Sequence, residues 1–350
     1  MKVFHCDCCD QLVFFESIQC LKCGSMLGYA FDQCQMIAVN STQSPGGAPA
    51  DSAEIDRQYR PCRNYSSEQV CNWLVPESDD NELCISCRLT LTVPDVSIPE
   101  NRVAWGRLEA AKRRLVYQLA QLKLPLVSQV DDPDTGMAFE FLADPPGGPR
   151  VVTGHADGKI TINLAETNDA EREHRRVSLH EPYRTLLGHL RHEVGHYYWD
   201  RLIRDSDRLQ NFRDVFGDER ADYAEAMQRH YENGAPPDWQ LSFVSAYASM
   251  HPWEDWAETW AHYLHLTDTL ETARACGMML RPHRPDEPVL NKSKVIEPAA
   301  SEFDRVIDEW LSLTYILNNL NRGMGLPDGY PFVLSPPAIT KLRFIHETIV

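Results

Sequence analysis

Thirteen residues, GHLRHEVGHYYWD at 188–200, hold three histidines, one glutamate and one aspartate. Within them His192, Glu193 and His196 spell HExxH. On a helix, positions i and i+4 lie one turn apart on one face. Both imidazoles can then reach one zinc ion at about 2.0–2.1 Å. Glu193 stands beside the first of them, where it can take a proton from a zinc-activated water and later deliver it to a leaving amine. The pattern predicts metal-assisted hydrolysis with Glu193 as general base. A plainer reading is an amphipathic helix whose histidines fill ordinary hydrogen bonds. Gly188 and Gly195 weigh against it, because they leave room around the motif.

A catalytic zinc needs a third protein ligand and one open position. The residues after His196 read YYWDRL, so no histidine follows at the spacing HExxHxxGxxH. The third ligand is expected from HPWEDWAETWAHY, 251–263, where Glu254 and Glu258 are again spaced i and i+4. One carboxylate can meet the ion while the other holds a ligand histidine by a hydrogen bond. Spacing alone leaves open which does which. Acids at a helix start also suit the positive end of the helix dipole without any metal. Asp200, four residues after His196, can orient a ligand histidine or stand as a solvated charge.

A second kind of metal chemistry is written in the cysteines. Ten of the 11 lie in the first 87 residues. Cys6, Cys9, Cys20 and Cys23 form two CxxC pairs with zinc-ribbon spacing; each pair makes a tight turn that points two sulfurs at one ion. Cys62, Cys71, Cys84 and Cys87 are expected to form a second four-sulfur site, although the first half is spaced irregularly. Cys8 and Cys34 are left over, and Cys276 reads as a core residue. Free buried thiols are the alternative to zinc here. A thioredoxin-like redox role lacks its βαβ context.

The elements that must position these residues follow from periodicity. A helix is expected from about 103 to 124, joining two halves. MAFEFLA, RVVTGH and KITINLA read as short strands separated by turn signals. After them the chain reads as mostly helical, over about 182–204, 207–232, 254–267, 301–320 and 336–348. The Ser/Gly/Pro-rich stretch 40–54 and the segment 281–288 read as loops. The aromatic run Tyr197–Trp199 is expected to pack the HExxH helix. His189 is expected to be structural, and His155, His262 and His265 carry no firm role.

Composition bounds the partners. The chain has 350 residues and a net charge of −17. Residues 1–98 alone carry six Lys and Arg against thirteen Asp and Glu. That balance disfavours nucleic acid, whose binding depends on basic residues displacing counterions. No apolar run approaches a membrane span and no targeting segment is visible, so the chain reads as cytoplasmic.

HEVGH followed downstream by Glu254-Asp255-Trp256-Ala257-Glu258 resembles the gluzincin metallopeptidases, and looks like the third-ligand helix of the anthrax lethal-factor group. That resemblance implies Glu254 as the zinc ligand. It also implies a transition-state role for a tyrosine seven residues upstream, a place held by Tyr247. Over nearly its full length the chain resembles a bacterial family of zinc-binding metallopeptidases with an amino-terminal zinc-ribbon domain. The resemblance is carried by PCRNYSSEQVCNWLVP, CISCRLTLTVPD, EPYRTLLGHLRHEVGHYYW, FGDERADYAEAMQRHY and SPPAITKLRFIH.

The expectation is therefore an α+β protein. Residues 1–98 form a zinc-ribbon region with two four-cysteine sites, 99–130 a connecting helix, and 131–350 a mostly helical zincin-like domain with a small β-sheet. One catalytic zinc and two structural zincs are expected, with a peptide or protein as substrate. KITINL is expected as an edge strand that aligns the substrate. The competing reading is a non-enzymatic zinc-binding module that meets a protein partner through the ribbon region.

Overall fold

The computed structural model describes residues 1–39, 58–178, 183–281, 283–284, 287–290 and 302–350. The stretch 40–54, expected as a loop, lies outside the described residues, as do three positions of 281–288. The class is α+β: small sheets and cysteine clusters come first, then a mostly helical region. Two compact units form, Lys2–Asp169 and Ala170–Val350, with Met1 grouped with the second. Compactness divides the chain at 169/170.

In the first unit, six short strands pair antiparallel in twos. These are β1 (Phe4–His5) with β2 (Leu12–Val13), β3 (Met26–Ala30) with β4 (Gln35–Val39), and β5 (Tyr59–Pro61) with β6 (Leu74–Pro76). Two single-turn helices follow β5 and β6, α1 (Arg63–Ser66) and α2 (Ile85–Arg88). Strands this short cannot bury a core by themselves. The unit is filled instead by rings: Phe15 lies 4.9 Å from Tyr29, 6.0 Å from Trp73 and 5.5 Å from Tyr117, centroid to centroid.

Tyr117 belongs to α3 (Pro99–Gln121), which opens on a proline whose fixed φ suits the first helical position. The helix expected as a connector therefore packs as part of this unit. Its Lys112 and Glu109 are fully buried and lie 2.9 Å apart. Lys112 sits over the rings of Phe139 and Phe141, 5.6 Å from each centroid. Trp105 Nε1 and Thr90 Oγ1 both donate to Oε1 of Glu109, and Lys112 offsets the buried charge.

Four further strands form one sheet in the order β7-β8-β10-β9: β7 (Thr90–Thr92), β8 (Ala138–Leu142), β9 (Gly154–Ala156) and β10 (Lys159–Asn163). KITINL is not an edge strand. β10 pairs parallel with β8 on one side and antiparallel with β9 on the other. Over Lys159–Thr161 both of its sides are paired, so strand addition by a peptide is closed there. Of RVVTGH, only Gly154 and His155 are in a strand.

The second unit holds helices α4 (Asp169–Ser178, from the junction), α5 (Leu186–Leu202), α6 (Leu209–Phe216), α7 (Tyr223–Asn233), α8 (Pro252–Ala275), α9 (Glu302–Gly323) and α10 (Pro336–Ile349). The single helix expected over 207–232 is two. Gly217 has φ +101°, a conformation that side chains resist, and it ends α6. Asp222 then caps α7, its side chain accepting from Glu225 N at 2.9 Å.

Helices α5 and α8 cross at small residues. A Cβ on Gly195 would lie 3.1 Å from Ala257 Cα and 3.2 Å from Trp260 Cβ. Trp256 and Trp260 are fully buried on α8, and Tyr198 of α5 stacks on Trp260 at 5.1 Å. On α8's other side, Asp255 meets Lys341 of α10 at 2.6 Å. Cys276, expected in the core, is exposed just past the end of α8.

Candidate metal centres

Among the described residues, three groups of metal-binding side chains converge, each with its donor atoms within 4.8 Å of one another. They are Cys6, Cys9, Cys20 and Cys23; Cys62, Cys71, Cys84 and Cys87; and His192, His196 and Glu254.

In the first group the sulfurs of Cys6 and Cys23 are 3.7 Å apart, and those of Cys9 and Cys20 3.5 Å. In the second, Cys71 and Cys84 are 3.8 Å apart. Tetrahedral zinc with bonds of about 2.3 Å requires neighbouring sulfurs about 3.8 Å apart, so both groups fit the ion. Local structure aims them. Cys62 and Cys84 each immediately precede a single-turn helix. Backbone N–H groups of Cys84 and Trp73 point at the sulfurs of Cys62 and Cys71, both at 3.3 Å. Contacts from Cys71, Cys84 and Cys87 hold the Cys62 thiol far below its ordinary pKa. Cys8 and Cys34 belong to neither group.

The third group is built by α5 and α8. Thr185 caps α5, its hydroxyl accepting from Gly188 N at 3.0 Å, and the helix carries His192, Glu193 and His196. His251 caps α8, its Nδ1 accepting from Trp253 N at 3.1 Å, and Pro252 opens that helix. Glu254 thus falls in the first turn of α8, where the dipole favours a carboxylate.

His192 Nε2 lies 3.2 Å from His196 Nε2 and 3.0 Å from Glu254 Oε2; His196 Nε2 lies 3.6 Å from the same oxygen. Tetrahedral zinc with bonds of about 2.0–2.1 Å needs donors about 3.3–3.4 Å apart. The three spacings bracket that value. Glu254 is 2% exposed, and its Oε2 meets hydrogen-bond geometry with no protein donor. A buried carboxylate oxygen aimed at two imidazole nitrogens, without a good hydrogen bond, fits a cation shared by all three.

The surroundings fix these ligand candidates. Glu258 Oε1 lies 2.7 Å from His192 Nδ1, and Ser245 Oγ donates to Glu258 Oε2 at 2.6 Å. That contact leaves Nε2 of His192 to face the cluster. Burial would raise Glu254, but His196 and His192 hold it well below the usual carboxylate range. Burial likewise opposes the charge on Glu258, yet His192 brings it down to about 2. The Trp253 ring lies 3.8 Å from that of His196 and screens it. Asp200 pairs with Arg204 at 2.5 Å.

Glu193 is buried beside the cluster, at 9% exposure. Tyr247, in a short turn over Tyr247–Ser249, places its ring 6.0 Å from that of His192. Burial and the Glu254 charge raise its hydroxyl far above the ordinary value, so it stays a donor. Sequence reasoning missed Tyr223, whose hydroxyl donates to Glu254 Oε1 at 2.8 Å. The Asp222-x-x-Glu225 spacing is a helix-start signal that could have located it. A cavity of about 230 Å³ beside the cluster is lined by Trp199, Arg204, Glu219, Tyr223, His251 and Trp253.

Residues 101–348 match the family described as "Putative zinc-binding metallo-peptidase", and residues 3–98 match a zinc-ribbon domain. The chain belongs to that metallopeptidase family and carries an amino-terminal zinc-ribbon domain. Uncharacterized proteins of Mycobacterium tuberculosis and Mycobacterium bovis are 45% identical to it over 350 residues, covering 100% of this chain and 95% of theirs. No solved structure matches. No helix among the described residues is long and apolar enough to cross a membrane.

Proposed function

We propose that the protein is a zinc metallopeptidase whose catalytic ion is held by His192, His196 and Glu254, with one structural zinc on each cysteine cluster. The observation that carries this reading is the convergence of two imidazole nitrogens and one buried carboxylate oxygen, 3.0–3.6 Å apart, on neighbouring helices. A zinc ion bound there would act as a Lewis acid toward a peptide carbonyl and acidify water.

The chain's own residues do the rest. Glu193 takes a proton from the attacking water as its oxygen bonds to the carbonyl carbon. Tyr247 donates a hydrogen bond to the oxyanion that forms. Glu193 then passes the proton to the amide nitrogen, the C–N bond breaks, and an acid and an amine leave. Glu258 keeps His192 in the required orientation. The cavity lined by Trp199, Tyr223 and Trp253, together with Arg204, Glu219 and His251, supports binding of a side chain of a peptide substrate beside the cluster. The ribbon region serves as a folding staple.

Glu193→Gln tests the reading, because it keeps the shape of the side chain and removes the base. Zinc content and melting temperature stay near wild type, while cleavage of a peptide library falls roughly 10²–10⁴-fold. Equal products at equal rates from both proteins would overturn it.

A further inference from the structure

The two oxygens of Glu254 keep different company. Oε2 faces His192 and His196 at 3.0 and 3.6 Å. Oε1 accepts from the Tyr223 hydroxyl at 2.8 Å. With the side chain 2% exposed, bulk water cannot substitute for that donor. Tyr223 is the first residue of α7, set there by the Gly217 break and the Asp222 cap. Its ring packs edge-on against His251 at 5.3 Å and Trp253 at 6.0 Å, so the hydroxyl has little freedom.

A carboxylate can bind an ion through one oxygen or two. A catalytic zinc site works with three protein donors and an open position. A second oxygen from Glu254 would crowd that position. We propose that Tyr223 is a positioning residue that pins Oε1, makes Glu254 a one-oxygen ligand, and so keeps the fourth position open. The proposal rests on His192, His196 and Glu254 being a metal site, but not on peptide hydrolysis.

Tyr223→Phe removes the hydroxyl and keeps the ring packing. Zinc affinity of the His/Glu cluster, measured by chelator competition on the full chain, should weaken roughly 10–100-fold. Cobalt loading supplies a readout that packing alone would not move. Subtracting the spectrum of cobalt-loaded His196→Ala cancels the cysteine sites. Wild type then shows the strong visible bands of four-coordinate cobalt, and Tyr223→Phe the weaker bands of a five-coordinate ion. X-ray absorption at the cobalt edge of wild type, with the cysteine sites kept on zinc, should count one carboxylate oxygen whether or not the variant folds. Unchanged affinity and bands in Tyr223→Phe, or two carboxylate oxygens in wild type, overturn the role of Tyr223. A wild type that takes up no more cobalt than His196→Ala overturns the metal site itself.

Discussion

The Gly195 carbonyl accepts a hydrogen bond from the Trp256 indole at 2.8 Å, across the point where α5 and α8 touch. The contact locks the helix bearing His192 and His196 against the helix bearing Glu254. It also explains why position 195 has no side chain, since a Cβ would press on Ala257 Cα and Trp260 Cβ.

Gly195→Ala should therefore destabilise the protein. Helix propensity alone would favour alanine by about 1 kcal/mol. Overpacking against a backbone atom and a buried tryptophan costs about 1–3 kcal/mol. The expected result is a lower melting temperature with weaker zinc binding at the His/Glu cluster. A higher melting temperature would show that the helices can move apart freely.

Glu254→Ala and Glu258→Ala should separate the two carboxylates of α8. Losing the hydrogen-bond partner of His192 should weaken zinc binding by roughly 10–100-fold, and losing the ligand oxygen should weaken it further. Titration of each variant with a zinc chelator measures both. The reverse order would move the ligand one turn along the helix.

Metal content provides a third check. Native mass spectrometry of the fully loaded protein should find about three zinc ions, one for each cluster. Cys84→Ser should unfold the first unit, because structural zinc contributes directly to folding. His196→Ala should lose one ion and leave that unit folded.

His262 makes stability depend on pH. It is buried against Tyr330, 2.7 Å from its hydroxyl, with the Phe332 ring at 4.5 Å. Burial pushes its imidazole down to about 4, and the Glu258 charge opposes this only in part. An unfolded histidine titrates near 6.5. The folded value is the lower one, so this stability is complete above about pH 6.5 and lost as pH falls through about 4. The change is on the order of 3 kcal/mol. Denaturant unfolding of wild type and His262→Gln should differ in pH slope over that window, and parallel curves would refute the assignment.

Much was legible in the sequence because it is encoded at short range. HExxH needs only the helical repeat to place His192 and His196 on one face. Each CxxC needs only a tight turn to pair its sulfurs. The α+β class follows from alternating strands giving way to helical spacing. The break at Gly217 was hidden for a related reason: the periodicity of 207–232 runs on through the glycine, whose positive φ only the folded chain reveals.

What the sequence could not decide was which distant groups meet. Glu254 and Glu258 have the same spacing and the same chemistry. Only the crossing of α5 and α8 at Gly195 turns Oε2 of Glu254 toward the two Nε2 atoms and Oε1 of Glu258 toward Nδ1 of His192. Tyr223 is 31 residues from Glu254. KITINL looks the same at an edge or inside a sheet, because alternation reports which face is buried and not which neighbours pair. Periodicity is a property of one segment, whereas ligand order and strand order depend on contacts between segments, and those are fixed by packing.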